Sequence, residues 1–156
     1  QDRLYSGIRT YVGPSEAEDV TQETFIRAHK ALHSYEPARI ESLALSGWIW
    51  TIALNLCRNW FRTKSRRPRS VQLSFDRADS ATAEAEALDN AMLDAWRDRL
   101  NRLSAPQREA VVLRHVVGLS YREIAAATDR PEGTAKADVS RGLAALRQIL
   151  TEEESS

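Results

Sequence analysis

The sequence predicts an all-α protein made of two small helical domains. Every strong local signal has helical periodicity, and no segment shows the alternation of apolar and polar residues between turns that is typical of a strand. A polar stretch separates two apolar-periodic blocks within the 156 residues, a length that suits two small cores. We therefore predict a first domain over residues 1–65, a flexible linker over 66–82, a second domain over 83–151 and an acidic tail over 152–156.

Turn and cap signals divide the first block into three helices. Gly13-Pro14 ends the first one, and Ser15 with Glu18 has the spacing of a capping box that begins the second. A stretch containing Pro, Ser and Gly precedes the third helix and is predicted as a loop, with enough apolar residues for a short helical turn. The predicted helices cover residues 2–12, 15–34 and 48–65, and the loop covers 35–47.

The second block carries four predicted helices, of which the last two form a helix-turn-helix. The first is amphipathic, Ser104 begins the second with a capping box and an early proline, and Ser120 begins the third. Gly118 ends the second helix, and a turn over residues 129–133 separates the third from the fourth. The predicted helices cover residues 83–103, 104–118, 120–128 and 134–150, and the acidic tail is expected to be frayed.

The charge distribution favours a nucleic-acid partner at one place in the chain. Lys and Arg balance Asp and Glu at 22 each, but residues 58–69 hold six basic residues and no acidic one, beside Trp60 and Phe61. Cations interleaved with aromatic rings suit a phosphate backbone with stacked bases. Basic residues also suit the negative end of a helix dipole, so this run alone leaves both interpretations open.

Several other function classes have no support in the sequence. No nucleophile and base pair, phosphate-binding glycine loop or paired-carboxylate motif is present, so we predict neither an enzyme nor a cofactor. His29 and His33 are four residues apart but have no third ligand at motif spacing, so no metal site is expected. The longest apolar-rich stretch, 47–57, is far shorter than the ~20 residues that span a bilayer. With a single cysteine, Cys57, these features predict a cytoplasmic protein.

Five motifs follow one another along the chain: DVTQETFIRA at 19–28, WIWTIALNL at 48–56, APQRE at 105–109, GLSYREIA at 118–125 and EGTAK at 132–136. Together they resemble the extracytoplasmic-function (ECF) sigma factors of bacterial RNA polymerase. The first two are similar to the polymerase-binding helix and the helix after it, and the other three to the helix-turn-helix domain. The resemblance implies a subunit that binds core polymerase, recognises promoter DNA and helps to open it, while catalysis belongs to the polymerase.

The resemblance also implies roles for individual residues. Asp19, Gln22 and Glu23 share one helix face and would dock on the largest polymerase subunit, while Val20, Phe25 and Leu32 are expected to pack inward. The candidates for the single-stranded −10 element are Arg39, Trp48, Asn55, Arg58, Arg62 and Lys64. The candidates for the duplex −35 element are Arg122, Arg130, Thr134, Lys136, Asp138, Ser140 and Arg141.

Two departures from the family pattern affect promoter specificity. The loop between Arg39 and Trp48 is several residues longer than usual. Asp138 stands in the recognition helix, where the family has a run with Ser, Arg and His, and its carboxylate would accept a hydrogen bond from a cytosine amino group.

The implied partners are core RNA polymerase, promoter DNA and an anti-sigma factor, with no membrane contact of the chain's own. Two alternatives remain at this point. One is a DNA-binding regulator that uses only the helix-turn-helix within residues 104–150, with residues 1–65 for oligomerisation. The other is a sigma-like adaptor that binds polymerase or an anti-sigma protein but has little affinity for the −35 element, because Asp138 repels phosphate and the second domain is nearly neutral.

Overall fold

Helices form the described structure, a computed structural model that covers residues 2–64 and 80–156. No residue in those ranges lies in a strand, which confirms the predicted fold class. Residues 66–79 of the predicted linker lie outside the described ranges, as do Arg66, Arg67 and Arg69 of the basic run. The helices are α1 Asp2–Val12, α2 Pro14–Ser34, α3 Pro37–Glu41, α4 Leu45–Lys64, α5 Ser80–Asn101, α6 Ala105–Val111 with a π-helical continuation Val112–Val117, α7 Tyr121–Thr128 and α8 Glu132–Ser155.

Gly13 makes the corner between α1 and α2. Its φ of 90° lies in the left-handed region that glycine tolerates, and Pro14 supplies the first helical φ of α2. The helix starts there without a side-chain cap, so the capping box predicted at Ser15 is wrong. Arg97 of α5 fills the space beside this corner, with its Nη1 only 2.7 Å from where a Cβ on Gly13 would stand.

Serine side chains cap the helices that are predicted to begin at Ser104 and Ser120. Ser104 accepts a hydrogen bond from the backbone N–H of Gln107 at the start of α6. At the start of α7, the Ser120 hydroxyl accepts from the Glu123 N–H at 3.1 Å, and the Glu123 carboxylate accepts from the Ser120 N–H at 3.0 Å. Gly118, with φ 86°, ends the helix before Ser120 as predicted.

Helix α8 is longer at both ends than the sequence predicts. It begins at Glu132 instead of Thr134, so Gly133 lies in its first turn and not in the preceding turn. It continues to Ser155, and the tail is helical and not frayed. Contacts with α5 account for this extension, because Arg99 pairs with Glu153 at 2.9 Å and Arg102 with Glu152 at 3.3 Å.

One buried cluster joins the two predicted domains, which we call the first half (residues 2–64) and the second half (residues 80–156). Ile8 and Leu54 of the first half and Leu113 and Ile124 of the second are each at most 1% exposed within it. The halves meet through α1 against the π-helical segment and through α4 against α7. The apolar cores that the sequence assigns to separate domains are therefore continuous in the folded chain.

The apolar face predicted on α5 is buried only at its C-terminal end. Leu100 is 6% exposed, whereas Leu88, Met92 and Trp96 are between 39% and 69% exposed. The first turns of α5 therefore contribute little to the shared core.

The two serines with capping-box spacing provide a test of this local analysis. We expect Ser120→Ala to lower the free energy of unfolding by about 1 kcal/mol, because it leaves the backbone N–H of Glu123 without its acceptor. Ser15→Ala should change it by much less, since Ser15 caps nothing. Urea unfolding of both variants measures the difference. Equal losses would contradict the observed cap at Ser120 and its absence at Ser15.

Candidate nucleic-acid interface

The polar face predicted for partner binding on α2 lies on the surface. Asp19 and Gln22 are exposed, and Glu23 is half-buried and pairs with Arg27 at 2.9 Å. The three side chains are therefore together on one side of the helix, as their spacing predicts.

The inward face of α2 differs in part from the prediction. Val20 is buried as expected, but Phe25 is 39% exposed. Thr21 and Thr24 are buried instead, and their hydroxyls donate to the carbonyls of the residues four positions earlier. Those bonds satisfy the hydrogen-bonding capacity of the buried hydroxyls. The two threonines therefore face the core, whereas Phe25 does not.

Phe25 instead lines an open apolar cleft between α2 and α4. The cleft has a volume of about 570 Å³. Trp48 forms part of its wall and meets the ring of Tyr35 edge to face at a centroid distance of 6.1 Å. The Arg39 guanidinium lies 3.8 Å from the centroid of the Tyr35 ring. The structure thus brings Arg39 and Trp48, two of the predicted −10 candidates, to the same end of the first half.

The remaining −10 candidates lie in the C-terminal half of α4. Asn55, Arg58 and Arg62 are separated by three and four residues and share a helix face. The Arg58 guanidinium lies 3.5 Å from the side-chain oxygen of Asn55, and the Lys64 ammonium lies 4.5 Å from the centroid of the Trp60 ring. Cations and an aromatic surface are therefore combined at the C-terminal end of α4.

Arg58 is bound by a carboxylate of the second half. Its Nε and Nη2 atoms donate to the two oxygens of Glu109 at 2.8 and 2.9 Å, a bidentate geometry that strengthens the pair. These hydrogen bonds to Glu109 raise the pKa of Arg58 above its ordinary value. Arg130 donates to Glu109 as well, at 3.0 Å. Two predicted DNA-contact residues, one from each half, therefore share one buried acceptor.

The recognition helix α8 presents four of its five predicted contact residues to solvent. Thr134, Lys136, Ser140 and Arg141 are exposed, and so is Arg122 at the start of α7. This surface is polar and carries the cations of Lys136, Arg141 and Arg122.

Asp138, a predicted base contact, does not lie on the exposed face of α8. Asp138 is 7% exposed and belongs to the inward side of α8, with Ala135 and Val139. Its carboxylate lies 3.8 Å from the guanidinium of Arg130. The nearby cation offsets its charge in the protein interior, so Asp138 has a structural partner that the sequence pattern did not reveal.

Sequence reasoning also missed Glu109 as a key residue. Glu109 lies three and four positions before Val112 and Leu113 on α6 and its continuation, so an acid occupies an apolar stripe. A buried carboxylate at such a position requires cationic or hydrogen-bonding partners. The sequence therefore indicates that Glu109 has such partners, but it does not indicate which residues they are.

The described residues contain no metal-binding cluster and no membrane-spanning helix. His29 and His33 meet with their Nε2 atoms 3.2 Å apart, but no group of three potential ligands surrounds them in the described ranges. None of the helices described is long and apolar enough to cross a membrane.

Family models match both halves of the chain. The model for sigma-70 region 2 matches residues 1–67, and the model for sigma-70, region 4 matches residues 93–146. The ECF RNA polymerase sigma-E factor of Escherichia coli K12 is 35% identical over 156 residues, covering 94% of this chain and 80% of the relative. The ECF RNA polymerase sigma factor SigE of Mycolicibacterium smegmatis is 32% identical, and the match spans 99% of this chain but 60% of the relative's length.

Two solved structures are similar over nearly the whole chain. CnrH, in complex with the cytosolic domain of CnrY, has a TM-score of 0.72 and 26% identity, with 97% of this chain and 82% of the other covered. The sigma factor RpoE of Bartonella quintana, in complex with the anti-sigma factor NepR, has a TM-score of 0.67 and 27% identity, with 95% and 89% covered.

The corrected position of Asp138 can be tested by separating stability from base preference. We expect Asp138→Asn to lower the free energy of unfolding by ~1–2 kcal/mol, because it removes a charge that faces Arg130 in the interior, and to leave the ranking of −35 sequences unchanged. Asp98→Asn, at an exposed position of α5, is the matched control. A changed ranking with unchanged stability would restore the base-reading role.

Proposed function

The chain belongs to the sigma-70 family, among the ECF RNA polymerase sigma factors, and we propose that it binds core RNA polymerase and directs it to promoter DNA. The observation that carries this proposal is the order of the two family segments, at residues 1–67 and 93–146 of one chain. A regulator that used only the helix-turn-helix would not need the segment that matches sigma-70 region 2.

Binding of core polymerase is assigned to the polar face of α2. Asp19 and Gln22 are exposed and Glu23 completes the same face, so a partner can reach them without rearrangement of the first half. Alternating carboxylate and amide groups suit a partner surface with cationic and polar side chains.

Contact with the opened −10 element is assigned to the first half. Arg39 and Trp48 both contact the Tyr35 ring, and Trp48 lines the apolar cleft. A splayed base could stack there while the cation contacts its phosphate. Asn55, Arg62 and Lys64 continue this surface along α4, and Arg58 joins it when its bond to Glu109 is broken.

Contact with the duplex −35 element is assigned to the exposed side of α8 and the start of α7. The N-terminal half of the second helix of a helix-turn-helix reads the major groove. The side chains available there are Thr134, Lys136, Ser140 and Arg141, with Arg122 on a flanking phosphate. Because Asp138 is buried beside Arg130, its charge no longer argues for weak −35 binding, and the adaptor alternative rests only on the nearly neutral charge of the second domain.

The proposed role makes the chain a specificity subunit and not an enzyme, since RNA synthesis belongs to the core polymerase. Its partners place it in the cytoplasm, where core polymerase and promoter DNA are found. An anti-sigma factor is a further proposed partner, supported by the solved complex of RpoE with NepR.

Run-off transcription tests this function directly. Purified E. coli core polymerase is incubated with the chain and a library of randomised promoter fragments, and transcripts are sequenced. We expect transcripts that depend on the chain and share −10 and −35 sequences. Binding to core without any promoter-dependent transcript would contradict the proposal.

Core binding should depend on the polar face of α2. Replacing Asp19, Gln22 and Glu23 together with Ala should abolish co-purification with core polymerase, while circular dichroism stays helical. In the control variant, Ala replaces Glu84, Glu86 and Gln148. These residues are exposed, and their replacement removes the same charge. Core binding at wild-type strength in the first variant would show that the docking face lies elsewhere.

Promoter opening should depend on the cations at the end of α4. The double variant Arg62→Gln, Lys64→Gln should form open complexes more slowly on every promoter. The plot of the logarithm of the DNA-binding constant against the logarithm of salt concentration should become less steep by ~1.4–1.8, because each lost phosphate contact releases fewer counterions. Arg3→Gln with Arg147→Gln removes the same charge at exposed positions and is the control. Permanganate footprinting at several salt concentrations measures both. An unchanged salt slope in the α4 variant would exclude phosphate contacts there.

A further inference from the structure

Two exposed histidines on α2 hold their ring nitrogens close together. His29 and His33 are four residues apart and therefore lie one above the other on the same face of the helix. Their Nε2 atoms are 3.2 Å apart, whereas their ring centroids are 4.4 Å apart, so the rings converge at their Nε2 edges. Both side chains are exposed to solvent, and a small ion can reach them without movement of the backbone.

The distance between the two nitrogens fits a single zinc ion. Zn²⁺ binds histidine nitrogens at about 2.0–2.1 Å with tetrahedral geometry. Two such bonds that end on nitrogens 3.2 Å apart enclose an angle of about 100–106°, which is close to the tetrahedral value. Without the ion, one ring donates its Nε2–H to the other. When zinc binds, that hydrogen moves to Nδ1, because a neutral imidazole carries a proton on only one nitrogen.

The histidine pair lies at the C-terminal end of the polar face assigned to polymerase binding. Five side chains follow one another along that face at intervals of three and four residues and so lie on one side of α2: Asp19, Gln22, Ile26, His29 and His33. Ile26 is 48% exposed, and the other four are exposed as well. A partner that lies along this side of the helix therefore meets the two imidazoles too.

We propose that His29 and His33 bind one Zn²⁺ ion and that the bound ion weakens docking of core polymerase on α2. The second part rests on the proposed function, which places the polymerase on Asp19, Gln22 and Glu23. The carboxylates of that face suit a cationic partner. An ion with two positive charges at the end of the same face repels such a partner, so polymerase binding falls when zinc is bound.

Two protein ligands leave two positions of the ion to water. The sequence prediction of no metal site rests on the lack of a third protein ligand at motif spacing. Zinc does not require four protein ligands, since catalytic sites use three and keep water in the fourth position. A site with two ligands holds its ion more weakly than those sites do, so it fills and empties as the zinc concentration changes.

Titration of the free chain, without an affinity tag, with ZnCl₂ tests the site. Isothermal titration calorimetry should give one ion per chain, and NMR spectra of the imidazole nitrogens should show Nε2 of both rings as the ligand. His33→Gln should weaken zinc binding by about 10²-fold, because the second bond of a chelate forms within one molecule. MgCl₂ should not compete, since Mg²⁺ prefers oxygen ligands to imidazole.

Two control variants separate the pair from histidine in general. His115→Gln removes the third histidine of the chain, which is exposed in the second half, and should leave the titration unchanged. The double variant His33→Gln, Ser34→His keeps three histidines but sets the pair five residues apart, so the rings no longer share a face and zinc binding should stay weak. Circular dichroism checks that each variant is folded. Equal zinc affinity in the wild-type chain and in His33→Gln would overturn the site.

Binding of core polymerase with and without zinc tests the second part. Zinc at a concentration that saturates the wild-type chain should weaken its binding to core about fivefold or more, because like charges then face each other, and should leave the binding of His33→Gln unchanged. Any effect of zinc on the polymerase itself is common to both chains and cancels in the comparison.

The outcomes separate this inference from the proposed function. Polymerase binding by the wild-type chain that does not change with zinc would overturn the effect of the ion on docking. Absence of core binding without zinc would contradict the proposed function and with it that effect. The titration of the free chain needs no polymerase and decides the metal site in either case.

Discussion

The requirement to neutralise the buried carboxylate of Glu109 fixes how the halves of this chain meet. The two cations that satisfy it come from α4 and from the turn before α8, 51 and 21 residues away in sequence. Arg130 in turn faces Asp138, so two guanidinium groups and two carboxylates form a cluster with no net charge. A cluster balanced in this way tolerates burial far better than any of its members alone, and α4, α6 and α8 must keep their relative positions to preserve it.

Apolar side chains from both halves pack around this polar cluster. Gly7 on α1 and Gly47 on α4 allow the halves to approach closely, because a Cβ on Gly7 would lie 2.7 Å from Val117 and one on Gly47 would lie 3.3 Å from the Glu123 carbonyl oxygen. The space between the backbones is filled by Ile8, Leu54, Leu113 and Ile124. Hydrophobic burial is not directional and would accept several arrangements of the helices. The bidentate bond of Arg58 to Glu109 selects one of them, because it requires both distance and orientation.

The sequence predicts the features of this fold that depend on neighbouring residues. The caps at Ser104 and Ser120, the left-handed end at Gly118 and most helix boundaries follow from local chemistry. The start of α2 at Pro14 follows from local chemistry too, because proline favours the first helical position, although the spacing at Ser15 predicted a later start. The exposure of Phe25, the helical tail and the burial of Asp138 depend on contacts with distant segments. Phe25 lines the cleft beside α4, α5 holds the tail through Arg99 and Arg102, and Arg130 lies beside Asp138. The family motifs identified both candidate DNA surfaces, but no sequence pattern indicated that one acid would bind a cation from each.

The ion pair of Arg58 with Glu109 also bears on binding to non-specific DNA. A free chain with an exposed cationic helix would bind phosphate anywhere in a genome, where non-specific sites outnumber promoters by ~10⁶-fold or more. Such binding needs only phosphate contacts and counterion release. When Arg58 is held by Glu109, a contact with phosphate replaces an existing ion pair and releases fewer ions than an exposed arginine would. Non-specific DNA therefore gains less from Arg58 than it would from an arginine without this carboxylate partner.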